Sequence, residues 1–160
     1  MTKVKTFFCT MAVAGALVAC GDDNPFQVIE DIEFAASLGV DLSQMEMRAN
    51  GLYVQDLTVG MGDEVLADST GYFTYAGYLS DGTLFGSGEF SFVIADTAGL
   101  GAIEGFEAGV IGMMEDGRRL LVIPPELGYG DVPRSGIPAG SVLVFDVMVD
   151  SVGASPAAPN

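Results

Sequence analysis

The chain of 160 residues contains no histidine. That absence removes every nucleophilic triad built on an imidazole base and every zinc site that needs a histidine ligand. Basic residues are scarce, six against 22 acidic ones, which gives a net charge of −16. Lys3 and Lys5 lie in the first five residues, so only Arg48, Arg118, Arg119 and Arg134 serve the rest of the chain. A surface this acidic repels phosphate backbones, and nucleic acid is not expected as a partner. Its plainer consequence is solubility. Cysteine is confined to Cys9 and Cys20, so no disulfide staples the region beyond them. No metal and no cofactor is expected.

Against these gaps stands an apolar fraction of 49%, enough for one packed core in a chain of this length. The first apolar stretch, from about Phe7 to Ala19, follows Lys3 and Lys5. It is too short to span a bilayer comfortably and suits the apolar region of a signal peptide. It ends in Leu17-Val18-Ala19-Cys20-Gly21. This ending resembles the lipobox of bacterial lipoproteins. The resemblance implies cleavage after residue 19 and lipid on Cys20, which would hold the protein at a membrane without a spanning helix. It further implies a place in the cell envelope, facing the periplasm. Glycine rather than aspartate after Cys20 favours the outer membrane in a Gram-negative cell.

Residues 20–50 form an acidic extension. Asp22, Asp23, Asn24 and Pro25 have the composition of a solvated tether. From Phe26 to Leu42 the apolar residues Phe26, Val28, Ile29, Ile32, Phe34 and Leu38 fit helical spacing and strand alternation only in part. A short helix, an added edge strand and a collapsed linker all remain open. The segment could dock another molecule or pack on its own domain.

From residue 51 to 153 strand signals dominate. Leu52 to Val59 alternates. Gly71 to Leu79 carries Tyr72, Phe73, Tyr75 and Tyr78, of which Tyr72 is expected to serve packing, as is Phe92 further on. Asp81-Gly82 supplies a hairpin turn. Thr83-Leu84-Phe85 leads back, and Phe90 to Ile94 is a further short strand. Arg118 to Ile123 stops at Pro124-Pro125. Ser141 to Val152 places Leu143, Phe145, Val147 and Val149 on one face. Ile103, Phe106, Val110 and Met113 recur at spacings of three, four and three, one apolar stripe on about three helical turns. Gly105, Gly109 and Gly112 make this a poor helix in isolation, so a sheet must cover the stripe. The expected class is α+β, a curved antiparallel sheet wrapped around one short helix. The apolar pattern of 51–153 is complete enough for that span to fold alone, without metal or disulfide. Residues 154–160 are expected to form a disordered tail.

The residues and their order resemble the FKBP-type peptidyl-prolyl cis-trans isomerases. Gly51 to Gly62 matches the family's opening strand. Tyr75-Ala76-Gly77-Tyr78-Leu79-Ser80-Asp81-Gly82-Thr83-Leu84-Phe85 matches its Tyr-x-Gly-x-Leu-x-(Asp/Asn)-Gly-x-x-Phe motif, and Ile103-Glu104-Gly105-Phe106-Glu107-Ala108-Gly109 its helix motif. Pro124-Pro125-Glu126-Leu127-Gly128-Tyr129-Gly130, Gly136-Ile137-Pro138 and Leu143-Val144-Phe145-Asp146-Val147 match the closing loop and strand. The resemblance covers about one hundred contiguous residues. It implies a half-barrel with a shallow apolar pocket between sheet and helix, acting on proline-containing segments of exported proteins.

Carried over motif by motif, the catalytic set is Tyr75, Phe85, Ile103, Phe106, Tyr129 and Phe145, with Phe90, Ala102 and Ile137 binding substrate. Phe106 forms the floor, the Ile103 N–H meets a substrate carbonyl, and Tyr129 offers its phenol. Three departures stand out. Gly86 replaces the family's usual aspartate after the phenylalanine, and the bulge Gly86-Ser87-Gly88-Glu89 is short. Phe106 stands where many members have tryptophan. The segment from Ala95 to Gly101 is longer than usual by a few residues. Gly86 and the short bulge leave open a non-catalytic binding module on the same fold.

Overall fold

The alternating segments pair into one sheet. The computed structural model describes residues 28–94 and 101–153. The leader, Cys20, the segment 95–100 and the tail 154–160 lie outside the described residues. The strands are β1 (Glu46–Met47), β2 (Tyr53–Thr58), β3 (Thr70–Leu79), β4 (Leu84–Val93), β5 (Arg118–Ile123) and β6 (Leu143–Gly153). One helix, α1 (Glu104–Val110), lies between β4 and β5 in the chain. The sheet order is β1-β2-β5-β6-β3-β4, with every pair antiparallel. This is the α+β arrangement the periodicities predict.

The two-residue period of β6 sorts its side chains between two apolar layers. Leu143, Phe145, Val147 and Val149 join Phe106 and Val110 of α1 in the main core, while Val144 faces the opposite layer. Strand β5 is buried on both faces: Leu121 and Ile123 turn to the helix, Leu120 and Val122 away from it. Phe92 is buried as expected, but Tyr72 is 46% exposed and contributes little to the core.

The helix is shorter than its stripe. It ends at Val110, because Ile111 takes an extended ψ of 132° and Gly112 a positive φ of 82°. Met113 is buried from the loop beyond, which is why it shares the stripe's spacing. The helical glycines have a steric purpose. A Cβ on Gly105 would lie 2.3 Å from Ile123 Cγ2, and one on Gly109 would lie 2.6 Å from Leu121 Cδ1. The helix can therefore rest directly on β5 only with glycine at both positions.

A helix end leaves carbonyls without intrahelical donors, and the last turn of α1 contains no basic residue. Two distant arginines supply the donors. Arg119 of β5, only 6% exposed, donates from Nη1 to the carbonyls of Gly109 (2.8 Å) and Ile111 (3.2 Å). Its Nε donates to Asp56 Oδ1 at 2.6 Å. Arg48, ahead of β2, donates to the Ala108 carbonyl. Arg118 pairs with Asp146 across β5 and β6, Nε to Oδ1 at 2.7 Å.

Strand β4 differs from expectation. It is one continuous ten-residue strand in place of two short pieces around a bulge. Small residues allow this: Gly88, Ser87 and Gly86 pair in sequence with Tyr75, Ala76 and Gly77. The register slips one step later, since Gly77 faces Gly86 while Tyr78 faces Leu84. Phe85 is the extra residue, and such a bulge re-aims its side chain. The ring occupies the space a Cβ at Gly77 would fill, 2.6 Å from Phe85 Cζ and 2.9 Å from Phe145 Cε1.

The segment before the sheet is neither helix nor long strand. It makes three short 3-10 turns, Ile29–Asp31, Ala36–Leu38 and Leu42–Gln44, then β1. Turns of three residues separated by extended residues have no single period, which explains the partial fits in the sequence. Ile29 and Met45 are buried, and with Ile32, Phe34, Leu38, Val40 and Leu42 they cover Tyr53, Tyr78, Leu120, Val122, Val142 and Val144 on the outer face of the sheet. The Ala35 N–H donates to the Ser80 carbonyl at 2.9 Å. The Tyr53 hydroxyl donates to Glu30 Oε1 at 2.5 Å, which holds the Glu30 carboxyl below its ordinary value. From Ile29 onward the extension is thus part of the packed body. The apolar pattern of 51–153 is not complete in itself, because its outer face is covered by residues that precede it.

Candidate functional site

Between the concave face of the sheet and α1 lies a pocket of about 550 Å³. The helix supplies its floor. Phe106, 2% exposed, meets Phe145 edge-on with ring centroids 5.4 Å apart and Phe90 at 5.2 Å. Behind it Phe73, fully buried, closes the core with a T-shaped contact at 5.8 Å. The walls come from three strands. Tyr75 of β3 stands edge-on to Phe90 of β4 at 5.1 Å, and the re-aimed Phe85 stands edge-on to Phe145 of β6 at 5.5 Å. Edge-to-face contacts of this kind satisfy the ring quadrupoles and fix the angles between rings. The cup is therefore held in shape by its own aromatic residues.

The rim comes from the turn before α1 and from the β5–β6 loop. Ala102 and Ile103 line one side, Tyr129, Arg134, Ser135 and Ile137 the other. Pro125–Leu127 forms a 3-10 turn that ends β5's run, and the Gly130 N–H returns to the Pro125 carbonyl at 2.8 Å. Further on, Arg134 and Ile137 exchange both backbone hydrogen bonds, at 2.9 and 3.0 Å, with Gly136 at φ +80° between them. Ile137 is buried and anchors this turn to the core.

All nine residues proposed for the pocket, Tyr75, Phe85, Phe90, Ala102, Ile103, Phe106, Tyr129, Ile137 and Phe145, line the same cavity. Three further lining residues were not placed there by the sequence: Gly86, Arg134 and Ser135. Gly86 was visible only as a departure from the family pattern. Arg134 was visible as one of four basic residues beyond the leader, two positions ahead of the Gly136-Ile137-Pro138 motif. Nothing in its local pattern marked it as a lining residue.

The polar groups at the rim are few and uncommitted. The Ile103 N–H and the hydroxyls of Tyr75 and Tyr129 have no hydrogen-bond partner among the described residues. Among the described residues the lining contains no carboxylate and no thiol, and no group of three or more metal-ligating side chains is present. The chemistry open to the pocket is apolar contact plus donation of a few hydrogen bonds. Fold and cup together define an α+β domain with an aromatic pocket between its sheet and its helix.

Comparison with known proteins places that domain. Residues 59–150 match the sequence model of the FKBP-type peptidyl-prolyl cis-trans isomerase family. The chain belongs to this family. It is 38% identical over 112 residues to FK506-binding protein 4 of Chaetomium thermophilum, a match covering 69% of this chain and 22% of that protein. It spans about a fifth of the length of the curated relatives it matches first. Among solved structures it is similar to FkpA from Escherichia coli, with 34% identity and a TM-score of 0.62 over 71% of this chain and 53% of that one. It is also similar to AtFKBP13, with 31% identity and a TM-score of 0.59 over 67% of this chain and 97% of that one.

Proposed function

We propose that the chain accelerates cis–trans isomerisation of X–Pro bonds in exported proteins while held at the cell envelope by lipid on Cys20. The observation that supports catalysis is an aromatic cup whose rim carries uncommitted donors, the Ile103 N–H and the Tyr75 and Tyr129 hydroxyls among them, and whose described lining has no histidine, cysteine or carboxylate. Turning an X–Pro bond requires only the loss of amide resonance, a barrier of about 18–20 kcal/mol. The planar amide is more polar than the twisted one, so an apolar cup disfavours the ground state more than the transition state. Phe106, Phe145, Phe85, Tyr75 and Phe90 provide the cup, with Ala102 and Ile137 at its edge. The Ile103 N–H then holds the substrate carbonyl, and the Tyr129 hydroxyl donates to the twisted amide.

A protease-free assay on a proline tetrapeptide tests this reading. The uncatalysed reaction takes tens to hundreds of seconds, so modest catalysis is visible. The rate is expected to be flat between about pH 6 and 8, because among the described residues the lining contains no histidine, cysteine or carboxylate. Tyr129→Phe deletes one neutral hydrogen bond of about 0.5–1.5 kcal/mol and is expected to slow turnover roughly threefold to tenfold. The thermal midpoint should hardly move. A bell-shaped profile in that range would contradict catalysis by desolvation. The open wall at Gly86 favours a second reading, a binding module without useful turnover. Peptide binding at a rate equal to background would select it.

The envelope setting rests on Lys3, Lys5, the apolar run and the Leu17-Val18-Ala19-Cys20 ending. Mass spectrometry of the protein from its native cell is expected to show a mature N-terminus at Cys20 carrying acyl chains. Cys20→Ser is expected to release the protein from the membrane fraction or leave it unprocessed. An unmodified cysteine, or cleavage elsewhere, would remove the anchor from this proposal.

A further inference from the structure

The charge of the pocket runs against the charge of the protein. The chain has 22 acidic and six basic residues, yet among the described residues the pocket lining contains no acidic residue and one basic residue, Arg134. The other three described arginines are committed. Arg48 and Arg119 bond the end of α1, with Arg119 also on Asp56, and Arg118 pairs with Asp146. Arg134 has no ion pair among the described residues, although Asp131 lies in the same loop.

The exposed guanidinium sits beside an aromatic ring. Its carbon lies 5.6 Å from the centre of the Tyr129 ring, a distance at which the ring face attracts a cation. The backbone of Arg134 is fixed by both hydrogen bonds to Ile137, which is itself 6% exposed and part of the core. The planar fork of an arginine matches a carboxylate in two parallel hydrogen bonds. Gly86 sharpens the point. It lines the same pocket and brings no carboxylate to compensate the cation, and its Cβ position would lie 3.6 Å from the Tyr75 hydroxyl.

We propose that Arg134 makes the pocket prefer prolines flanked by a residue with a side-chain carboxylate. This rests on the isomerase reading for the identity of the proline site. The preference is local and opposes the long-range field of a protein with net charge −16, which repels acidic peptides and attracts basic ones. That opposition provides a sign to read.

The experiment uses proline tetrapeptides with leucine, glutamine or glutamate on either side of the proline, at low and high salt. Wild type is expected to turn over the glutamate peptide about threefold faster in kcat/KM than the glutamine peptide, for at least one of the two positions. In Arg134→Gln the ratio is expected to fall below one, because only the repelling field remains. Arg134→Lys should keep a ratio above one but smaller than wild type, and salt should bring every ratio toward one. A wild-type ratio at or below one in both positions overturns the proposal, and so does a ratio unchanged by Arg134→Gln. If the leucine peptide itself is not turned over above background, the isomerase reading fails. The same glutamate-to-glutamine ratio, taken from dissociation constants of labelled peptides, then decides the role of Arg134 with the same two outcomes.

Discussion

Cutting the chain back to Arg48 is expected to lower its thermal midpoint by more than 10 °C and to expose dye-binding apolar surface, relative to the chain that starts at Val28. The reason is the outer face of the sheet. Tyr53, Leu120, Val122, Val142 and Val144 are buried there under Ile29, Ile32, Phe34, Leu38, Val40, Leu42 and Met45. A single substitution, Ile29→Ala, removes a side chain that is 4% exposed and should cost about 2–5 kcal/mol. For a domain of this size that corresponds to a shift of roughly 10 °C. Loss of the whole segment adds the Ala35–Ser80 hydrogen bond and the Arg48 contact is left as the nearest remaining tie to α1. Acid should weaken the same seam. The Glu30 carboxyl is held low by the Tyr53 hydroxyl, so its contribution is present above the unfolded carboxyl's pKa and is lost as pH falls through the folded one. A truncated chain with an unchanged midpoint and no dye binding would show that the bare sheet is stable.

Phe145→Ala is expected to damage stability and turnover together. The ring is 5% exposed and touches Tyr75, Phe85 and Phe106. Its loss should cost about 3–5 kcal/mol of stability. The cavity it leaves opens into the pocket, so water enters and kcat/KM should fall more than tenfold. Tyr129→Phe provides the contrast, a modest rate effect at constant midpoint. Calorimetry beside the protease-free assay reads both variants. If Tyr129→Phe unfolds the domain while Phe145→Ala leaves rate and stability intact, the division between cup and donor is wrong.

Much of this was legible in the residue order. The alternation of Leu143, Phe145, Val147 and Val149 placed β6's inner face correctly, because period two is a local property of a strand. The nine pocket residues were legible through family motifs that keep aromatic side chains at fixed places around one helix. What escaped depended on contacts far apart in sequence. Arg119 caps a helix ten residues earlier and pairs with Asp56 on another strand, and no local pattern announces such a bond. Arg134 reaches the pocket because Ile137 is buried, which is a tertiary fact. The extension was unreadable for a different reason: three-residue turns carry no periodicity. The continuous course of β4 was missed because Gly86-Ser87-Gly88 reads as a loop in isolation and pairs only because Tyr75-Ala76-Gly77 lies alongside.

The strand order has a consequence for how the molecule comes together. β6 is the last strand in the chain and is bordered on both sides, by β5 and by β3. Until it is in place the sheet is two separate pieces, β1-β2-β5 and β3-β4, each with an open edge. Tyr53 must find Val122, and Thr70 must find Gly153, so both closures span most of the domain. Closing such long loops precedes any gain from the contacts they create. Phe145 rides on that same strand. A chain lacking residues 143–153 therefore has neither the continuous six-stranded sheet nor the Phe145 wall of the pocket.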